Sequence, residues 1–305
     1  MTAIRKVLVL GASGDQGFPL LDQLLADGYQ PTAGVRRADA LKDTRFASLP
    51  VVPADIEDEE SLVEAFKGQD ALAMHLPFEF DRARAAGFGR RIGSAAKRAG
   101  LGKIVFNTSC FVADHDLDLS AHDGRRDIEQ SIHDSGVPYV IVRPVVFMDN
   151  IIRVWSKPSI INSSVWAYPA GETLKISWIC LEDVAAYMVC GLGRDDLTAE
   201  KVLVGGPEAL VGAEVAERLS AAAGRTIRFQ SLTPDDYAAK MSLLVTGSSE
   251  VAPHSIYDGM AQFYRWYNTQ PTSPLVVEMA PALARLPITP TPMADWAARQ
   301  DWTRV

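Results

Sequence analysis

Apolar and polar positions fall into alternating blocks along the first half of the chain. Ile4–Leu10 is an apolar run that predicts a buried strand. Phe18–Asp27 follows with leucines at helical spacing (Leu20, Leu21, Leu24, Leu25) and stops at Gly28. Thr32–Val35 and the short Leu49–Pro53 predict two more strands. Glu59–Phe66 predicts a helix stopped at Gly68, Ala71–Leu76 a strand, and Gly87–Ala99 a helix closed by Gly100. Lys103–Asn107 predicts the fifth strand. Arg125–Asp134 sets Ile128 and Ile132 on one helical face before Gly136, and Tyr139–Val142 predicts the sixth strand. Strands alternating with helices imply parallel pairing through right-handed crossovers. The fold class is therefore α/β with a doubly wound parallel sheet, whose ligand belongs beyond the carboxyl ends of the strands.

The rhythm changes after about residue 150. Trp155, Pro158, Trp166, Pro169 and Gly171 mark an irregular stretch. Helical spacing then returns over Leu181–Leu192, followed by a strand at Val202–Val204 and an amphipathic helix over Ala213–Ala223. Residues 246–255 are polar and loop-like, and a proline-rich tail ends in a short helix near Ala294–Arg299. The expected division is a nucleotide-binding domain over residues 1–153, with a return segment near 174–192, and a smaller substrate or lid domain over 154–305.

The most informative segment is Gly11-Ala-Ser-Gly-Asp-Gln-Gly17, set between the first strand and the first helix. A strand, a glycine turn and a helix start form a phosphate-binding corner. The helix N-terminus supplies unpaired N–H groups and partial positive charge, and the glycines let backbone approach the anion. Gly11, Ser13, Gly14, Asp15, Gln16 and Gly17 are the candidate dinucleotide contacts. At the end of the second strand a carboxylate would suit a free ribose 2′-hydroxyl. Arg36 and Arg37 stand there instead, and guanidiniums suit a 2′-phosphate, so the expected cofactor is NADPH. Arg37 reads equally as a solvated surface charge. Asp55 is placed to accept from an adenine amino group with Ile56 packing on the ring; it reads equally as the cap of the next helix.

Composition narrows the field. Of 305 residues, 30 are basic and 38 acidic, a formal net charge of −8, which argues against a nucleic-acid partner. The three cysteines, Cys110, Cys180 and Cys190, show no metal-ligand spacing, so no metal site is expected and a reducing compartment is. The apolar run before the glycine corner is too short for a signal peptide, and nothing approaches the ~18 apolar residues of a membrane helix. A cytoplasmic protein with no membrane partner is the expectation, with a homodimer as candidate assembly.

The order and spacing of several motifs resemble the NmrA-like branch of the atypical short-chain dehydrogenase/reductases. They are the glycine loop, Val35-Arg36-Arg37, Asn107-Thr108-Ser109, Ser135-Gly136-Val137-Pro138-Tyr139, Arg143-Pro144, Phe147-Met148-Asp149-Asn150 and Trp178–Ala185. The resemblance implies a Rossmann-type domain with NADPH along the strand ends. It implies cofactor contacts from His75, Leu76 and Pro77 over the nicotinamide ribose, from Asn107, Thr108 and Ser109 beside the nicotinamide, and from Pro144. It also implies a family divided between working reductases (quinone, isoflavonoid, lignan and dye reductases) and proteins that bind NADP(H) to regulate a partner.

One departure bears on chemistry. No tyrosine has a lysine four residues on, and the position of the family lysine, eleven residues before Gly136, is Arg125. Arginine cannot act as a general acid near neutral pH but can donate to a ribose hydroxyl. Arg125, His122 and Ser109 are the candidate catalytic residues, with Tyr139 and water as further proton sources; His122 reads also as a polar loop residue. Without a placed acid, the favoured acceptor is aromatic, conjugated or quinone-like, because its reduced anion can take a proton from water. Phe78, Phe147, Asn150, Trp155 and Trp166 are the candidate substrate contacts, with an aromatic lid from Tyr257, Phe263, Tyr264, Trp266 and Tyr267. The expected function is an NADPH-dependent reductase of a small molecule held between the domains. The alternative is a non-catalytic NADP(H) sensor.

Overall fold

The computed structural model describes residues 4–304. The first elements in chain order are β1 (Lys6–Leu10), α1 (Gly17–Ala26), β2 (Gln30–Val35), β3 (Val51–Pro53), α2 (Glu59–Phe66), β4 (Ala71–His75) and α3 (Arg82–Ala99). Next come β5 (Lys103–Asn107), α4 (Ser120–Ser135), β6 (Tyr139–Pro144), a 3-10 turn (Met148–Ile152), α5 (Lys157–Ser163) and β7 (Val165–Tyr168). The remainder is α6 (Leu181–Leu192), β8 (Ala199–Val204), α7 (Gly212–Ala223), β9 (Arg228–Ser231), α8 (Pro234–Thr246), α9 (Ile256–Thr269), α10 (Met279–Arg285) and α11 (Met293–Ala298).

Seven strands form one sheet in the order β3-β2-β1-β4-β5-β6-β8. The strands from β1 to β6 pair in parallel, and β5 and β6 are buried along their whole length, as strands covered on both faces must be. β2 lies on one side of β1 and β4 on the other, so the chain reverses its winding at β1. The switch point brings Leu10 beside Met74, and His75 beside Asn107, at the carboxyl edge. A ligand crevice opens at such a reversal.

Two compact units divide the chain. Among the described residues, the first holds the sheet and comprises 4–144, 181–203 and 280–288; the second comprises 145–180, 204–279 and 289–304. The chain therefore leaves the sheet unit after Pro144, earlier than the expected boundary at 153. It returns over 181–203, and a second return over 280–288 was not foreseen.

Two helices of the first unit begin earlier than the pattern suggests. α3 starts at Arg82, capped by Asp81, whose carboxylate accepts from Arg84 N–H. Its glycines let α4 approach closely: a Cβ on Gly89 would lie 2.8 Å from Ile128 Cα. α4 starts at Ser120, and Asp123 anchors the entry by accepting from the Leu117 and Leu119 N–H groups.

The second unit is more regular than expected. β7 and β9 pair in parallel, and a cluster of rings fills its centre, with Trp166, Tyr168, Trp178 and Phe229 at centroid separations of 5.2 to 5.7 Å. Tyr264 and Tyr267, expected in a lid, are buried on α9 instead. No helix among the described residues is long and apolar enough to cross a membrane.

Candidate functional site

The glycine corner is shaped by sterics. Gly11 has φ +85°, and a Cβ there would lie 2.6 Å from the His75 ring. Gly14 N–H donates to Gly11 O at 3.0 Å, and Gly17 N–H donates to Gly14 O at 2.9 Å. A Cβ on Gly17 would fall 2.3 Å from Gly11 O, so only glycine lets α1 start so close to β1. Gln16 caps α1 without a side-chain bond to it, and the first turn carries no acidic residue. The positive end of the helix is thus left open to an anion.

An open cleft of about 620 Å³ runs over this corner within the first unit. Gly11, Ser13, Gly14, Asp15 and Gln16 form its floor, Arg36 and Asp55–Glu57 one end, and His75–Glu79 with Arg84 and Phe88 a wall. Arg36 has no ion pair or hydrogen bond among the described residues and presents a spare guanidinium to the cleft. Arg37 lies outside the lining and pairs with Asp39 at 3.7 Å, with its side chain 80% exposed; it is a surface charge. Asp55 is not the cap of α2. That cap is Asp58, while Asp55 closes a turn by accepting from Glu57 N–H at 2.9 Å. Ile56 O accepts from Arg91 Nε at 2.8 Å, which fixes the loop carrying Ile56 against α3.

Polar groups from β5 meet the corner through Gln16. Its Oε1 accepts from Asn107 Nδ2 at 2.7 Å and from Ser109 Oγ at 3.0 Å. Asn107 Oδ1 accepts from Ser109 N–H at 2.8 Å and holds Ser109 at φ +63°, a conformation that L-residues adopt at a cost. Thr108 turns away: it is fully buried and its hydroxyl donates to Cys110 O at 2.7 Å. Pro144 is buried at the end of β6 and does not line the cleft.

The three expected catalytic residues take other roles. The Ser109 hydroxyl proton is committed to Gln16. Arg125 is 2% exposed, and its Nη2 donates to Leu76 O at 2.7 Å and Pro77 O at 2.9 Å. Its guanidinium also stands 5.1 Å from the centre of the Phe78 ring. Arg125 thus braces the cleft wall from behind and does not itself line the cleft. Burial, and then the Arg125 charge, push the His122 imidazole down to about 3 from 6.5, so it stays neutral near pH 7 and makes a poor acid.

That shift has a measurable consequence. Below pH 6.5 the unfolded chain binds a proton at His122 that the folded chain refuses until about pH 3, so stability falls as pH drops through this window. His122→Gln should flatten the decline in melting temperature between pH 7 and pH 5, removing about 2 kcal/mol of acid sensitivity. An unchanged slope would contradict the assignment.

The other substrate candidates belong to the second unit. Trp166 is fully buried among Tyr168, Trp178 and Phe229, so it is core rather than a substrate contact. Phe147, Asn150 and Trp155 are partly exposed, and Asn150 hydrogen-bonds the buried Tyr168 hydroxyl. Phe78, at 38% exposure, lines the first unit's cleft. Glu57, Glu79 and Arg84 were missed. Arg84 pairs with both glutamates, to Glu79 at 3.0 Å, across the cleft wall. The signal was the cap at Asp81, which starts α3 early enough to place Arg84 and Phe88 on its first turns.

The sequence pattern of the NmrA-like family matches residues 4–297. The chain belongs to the NmrA-like family. An NAD(P)H azoreductase of Xenophilus azovorans is 30% identical over 262 residues, covering 85% of this chain and 86% of that protein. A (4-alkanoyl-5-oxo-2,5-dihydrofuran-3-yl)methyl phosphate reductase of Streptomyces griseus is 30% identical over 294 residues, covering 96% of each. Among solved structures, an NADPH-dependent quinone oxidoreductase of Escherichia coli complexed with NADPH shares the fold of this family member. Its TM-score is 0.78 at 21% identity, over 96% of this chain and 98% of that one.

Proposed function

We propose that this protein is an NADPH-dependent reductase that delivers hydride to an aromatic, conjugated or quinone-like acceptor. The observation that carries the reading is the cleft: a glycine corner at an open helix N-terminus, with the unpaired Arg36 at one end. The residues fit the cofactor. The corner offers N–H groups to a pyrophosphate, Arg36 offers a fork of donors to a 2′-phosphate, and the Asp55–Ile56 turn offers an acceptor and an apolar face to an adenine. Asn107, Ser109 and Gln16 form the polar set toward the nicotinamide. The bound cofactor would supply the hydride. The azoreductase and phosphate reductase relatives, at 30% identity, support reduction as the reaction class.

The chain's own groups limit the acceptor. Arg125 stays protonated, His122 stays neutral and Ser109 holds its proton on Gln16, so no side chain of this set gives up a proton readily. An acceptor whose reduced anion is stabilised by conjugation needs no such donor. Phe78 on the cleft wall is the candidate platform for its ring. The enzyme is read as cytoplasmic, acting on a small molecule; sedimentation tests the homodimer.

The test is NADPH oxidation with quinones, azo dyes and simple ketones. Turnover with the conjugated acceptors and little with the ketones is expected. Tight NADPH binding with no turnover on any class would instead favour the sensor reading. Arg36→Ala should weaken NADPH binding by about 1.5–3 kcal/mol, roughly ten- to hundredfold, and spare NADH. An equal loss for both nucleotides would remove the 2′-phosphate assignment.

A further inference from the structure

A charged bridge crosses the rim of the cleft at the end that holds Asp55 and Ile56. Glu57 stands on the loop after β3, Glu79 on the segment after β4, and Arg84 on the first turn of α3 joins them. Arg84 Nη2 donates to Glu57 Oε1, and its Nη1 lies 3.0 Å from Glu79 Oε2. Glu79 is itself fixed, because its Oε1 accepts from Asp81 N–H at 2.9 Å. All three bridge residues line the cleft, as do Asp55 and Ile56.

This trio does not suit a phosphate. Two carboxylates meet one guanidinium, so the formal charge of the group is negative and an anion is repelled. With a carboxylate on each terminal nitrogen, the plane of the guanidinium is held and its flat face is what remains for a ligand. The surroundings are built for ring packing. Phe88, 2% exposed, has its ring centre 5.6 Å from Arg84 Cζ and 5.7 Å from Arg91 Cζ. Arg91 Nε in turn holds Ile56 O at 2.8 Å, so Arg84, Phe88 and the Ile56 loop form one wall. The Arg84 side chain is 53% exposed and keeps open surface toward a ligand. A flat, uncharged aromatic ring fits that surface. In a dinucleotide phosphate held by this cleft, the part with that chemistry next to Asp55 is the adenine.

We propose that the Arg84 guanidinium stacks on the adenine of the bound cofactor, and that Glu57 and Glu79 are positioning residues that set its plane. This rests on the cleft being the dinucleotide site. A stack on the base is indifferent to the 2′-phosphate, so Arg84 serves NADPH and NADH alike, whereas Arg36 serves NADPH.

The test measures binding of NADPH and of 2′-phospho-ADP-ribose, which keeps the adenine and lacks the nicotinamide. The proteins are the wild type, Arg84→Lys and Arg84→Tyr. Lysine keeps the charge and can rebuild an ion pair; tyrosine keeps a planar face and cannot. Exposed ion pairs contribute little to stability, so both variants should melt near the wild type. Arg84→Lys should bind both ligands about tenfold more weakly, the scale of one lost base stack. Arg84→Tyr should stay within about threefold of the wild type, because its ring replaces the stack. If Arg84→Tyr binds no better than Arg84→Lys, the proposal is overturned, since the flat face is then not what the ligand uses. A loss in Arg84→Lys seen with NADPH and absent with 2′-phospho-ADP-ribose also overturns it, because Arg84 would then act on the nicotinamide side through Glu79. Failure of the wild type to bind either ligand overturns the cleft assignment itself, and the stack falls with it.

Discussion

Gly17→Ala is expected to destabilise the first unit by about 3 kcal/mol, with lost soluble yield and a lowered melting temperature, whether or not cofactor is present. The added Cβ would lie 2.3 Å from Gly11 O, 2.5 Å from Ala12 O and 2.6 Å from Ala12 C, all backbone atoms. No rotamer relieves such a contact. The start of α1 must move away from β1, which breaks the hydrogen bond from Gly17 N–H to Gly14 O and the packing of Leu20, Leu21 and Leu24. Gly14→Ala supplies the contrast. Its Cβ would meet Gly11 O and His75 Nε2 at 3.4 Å, tight but tolerable contacts. That variant should fold near wild-type stability and bind NADPH roughly ten- to hundredfold more weakly, because the methyl stands where the anion must approach. Thermal melts of both variants with binding isotherms for Gly14→Ala check the pair. A stable Gly17→Ala protein would show that α1 is free to shift.

The contrast also shows what the sequence carried. The spacing of glycines after an apolar run specified a corner, because few other arrangements put three glycines between a strand and a helix. Strands buried on both faces were legible for a similar reason: β5 has an unbroken apolar centre, Ile104–Phe106, between Lys103 and Asn107. Glu59–Phe66 and Leu181–Leu192 were legible as helices because their spacing and stops agree. The starts of α3 and α4 were not, since Gly87, Gly89 and Gly124 serve helix contact rather than helix propensity. α8 and α9 carried readable signals. Thr233 before Pro234 and Ser255 before Ile256 are helix caps, and each accepts from an N–H three residues on. Arg125 was the deepest miss. Its position was identified, but its direction depends on how α4 packs against the segment after β4, and no local pattern encodes that. The buried Trp166 illustrates the same limit, because a ring in a pocket and a ring in a core read alike.

Glu129→Ala is expected to cost about 3–5 kcal/mol, the largest loss from any single charge in the first unit. Glu129 is fully buried on α4 and accepts Arg143 Nε at 2.7 Å and Nη2 at 2.5 Å, with Lys201 Nζ at 3.0 Å. Arg143 Nη1 adds a bond to Asp114 at 2.8 Å. These contacts tie α4 to β6, β8 and the loop after β5. Removing the carboxylate leaves Arg143, 7% exposed, without its main counter-charge, and an unpaired buried charge is far costlier than the pair was worth. Joining Arg143→Met to Glu129→Leu should recover much of that loss, because the two apolar side chains leave no buried charge stranded: Lys201 and Asp114, the other members of the network, reach solvent. The double-mutant cycle, read by melting temperature and denaturant midpoint, separates the penalty of isolation from the value of the pair. Function gives a second readout. Arg125 sits one helical turn before Glu129 and braces the Leu76–Phe78 wall, so loosening α4 should weaken NADPH binding more than its effect on stability alone predicts. If the double variant recovers stability but not binding, the network's work is to hold that wall. If both recover together, Arg125 needs no such anchor, and the bracing depends on α4's apolar contacts through Ile128 and Ile132.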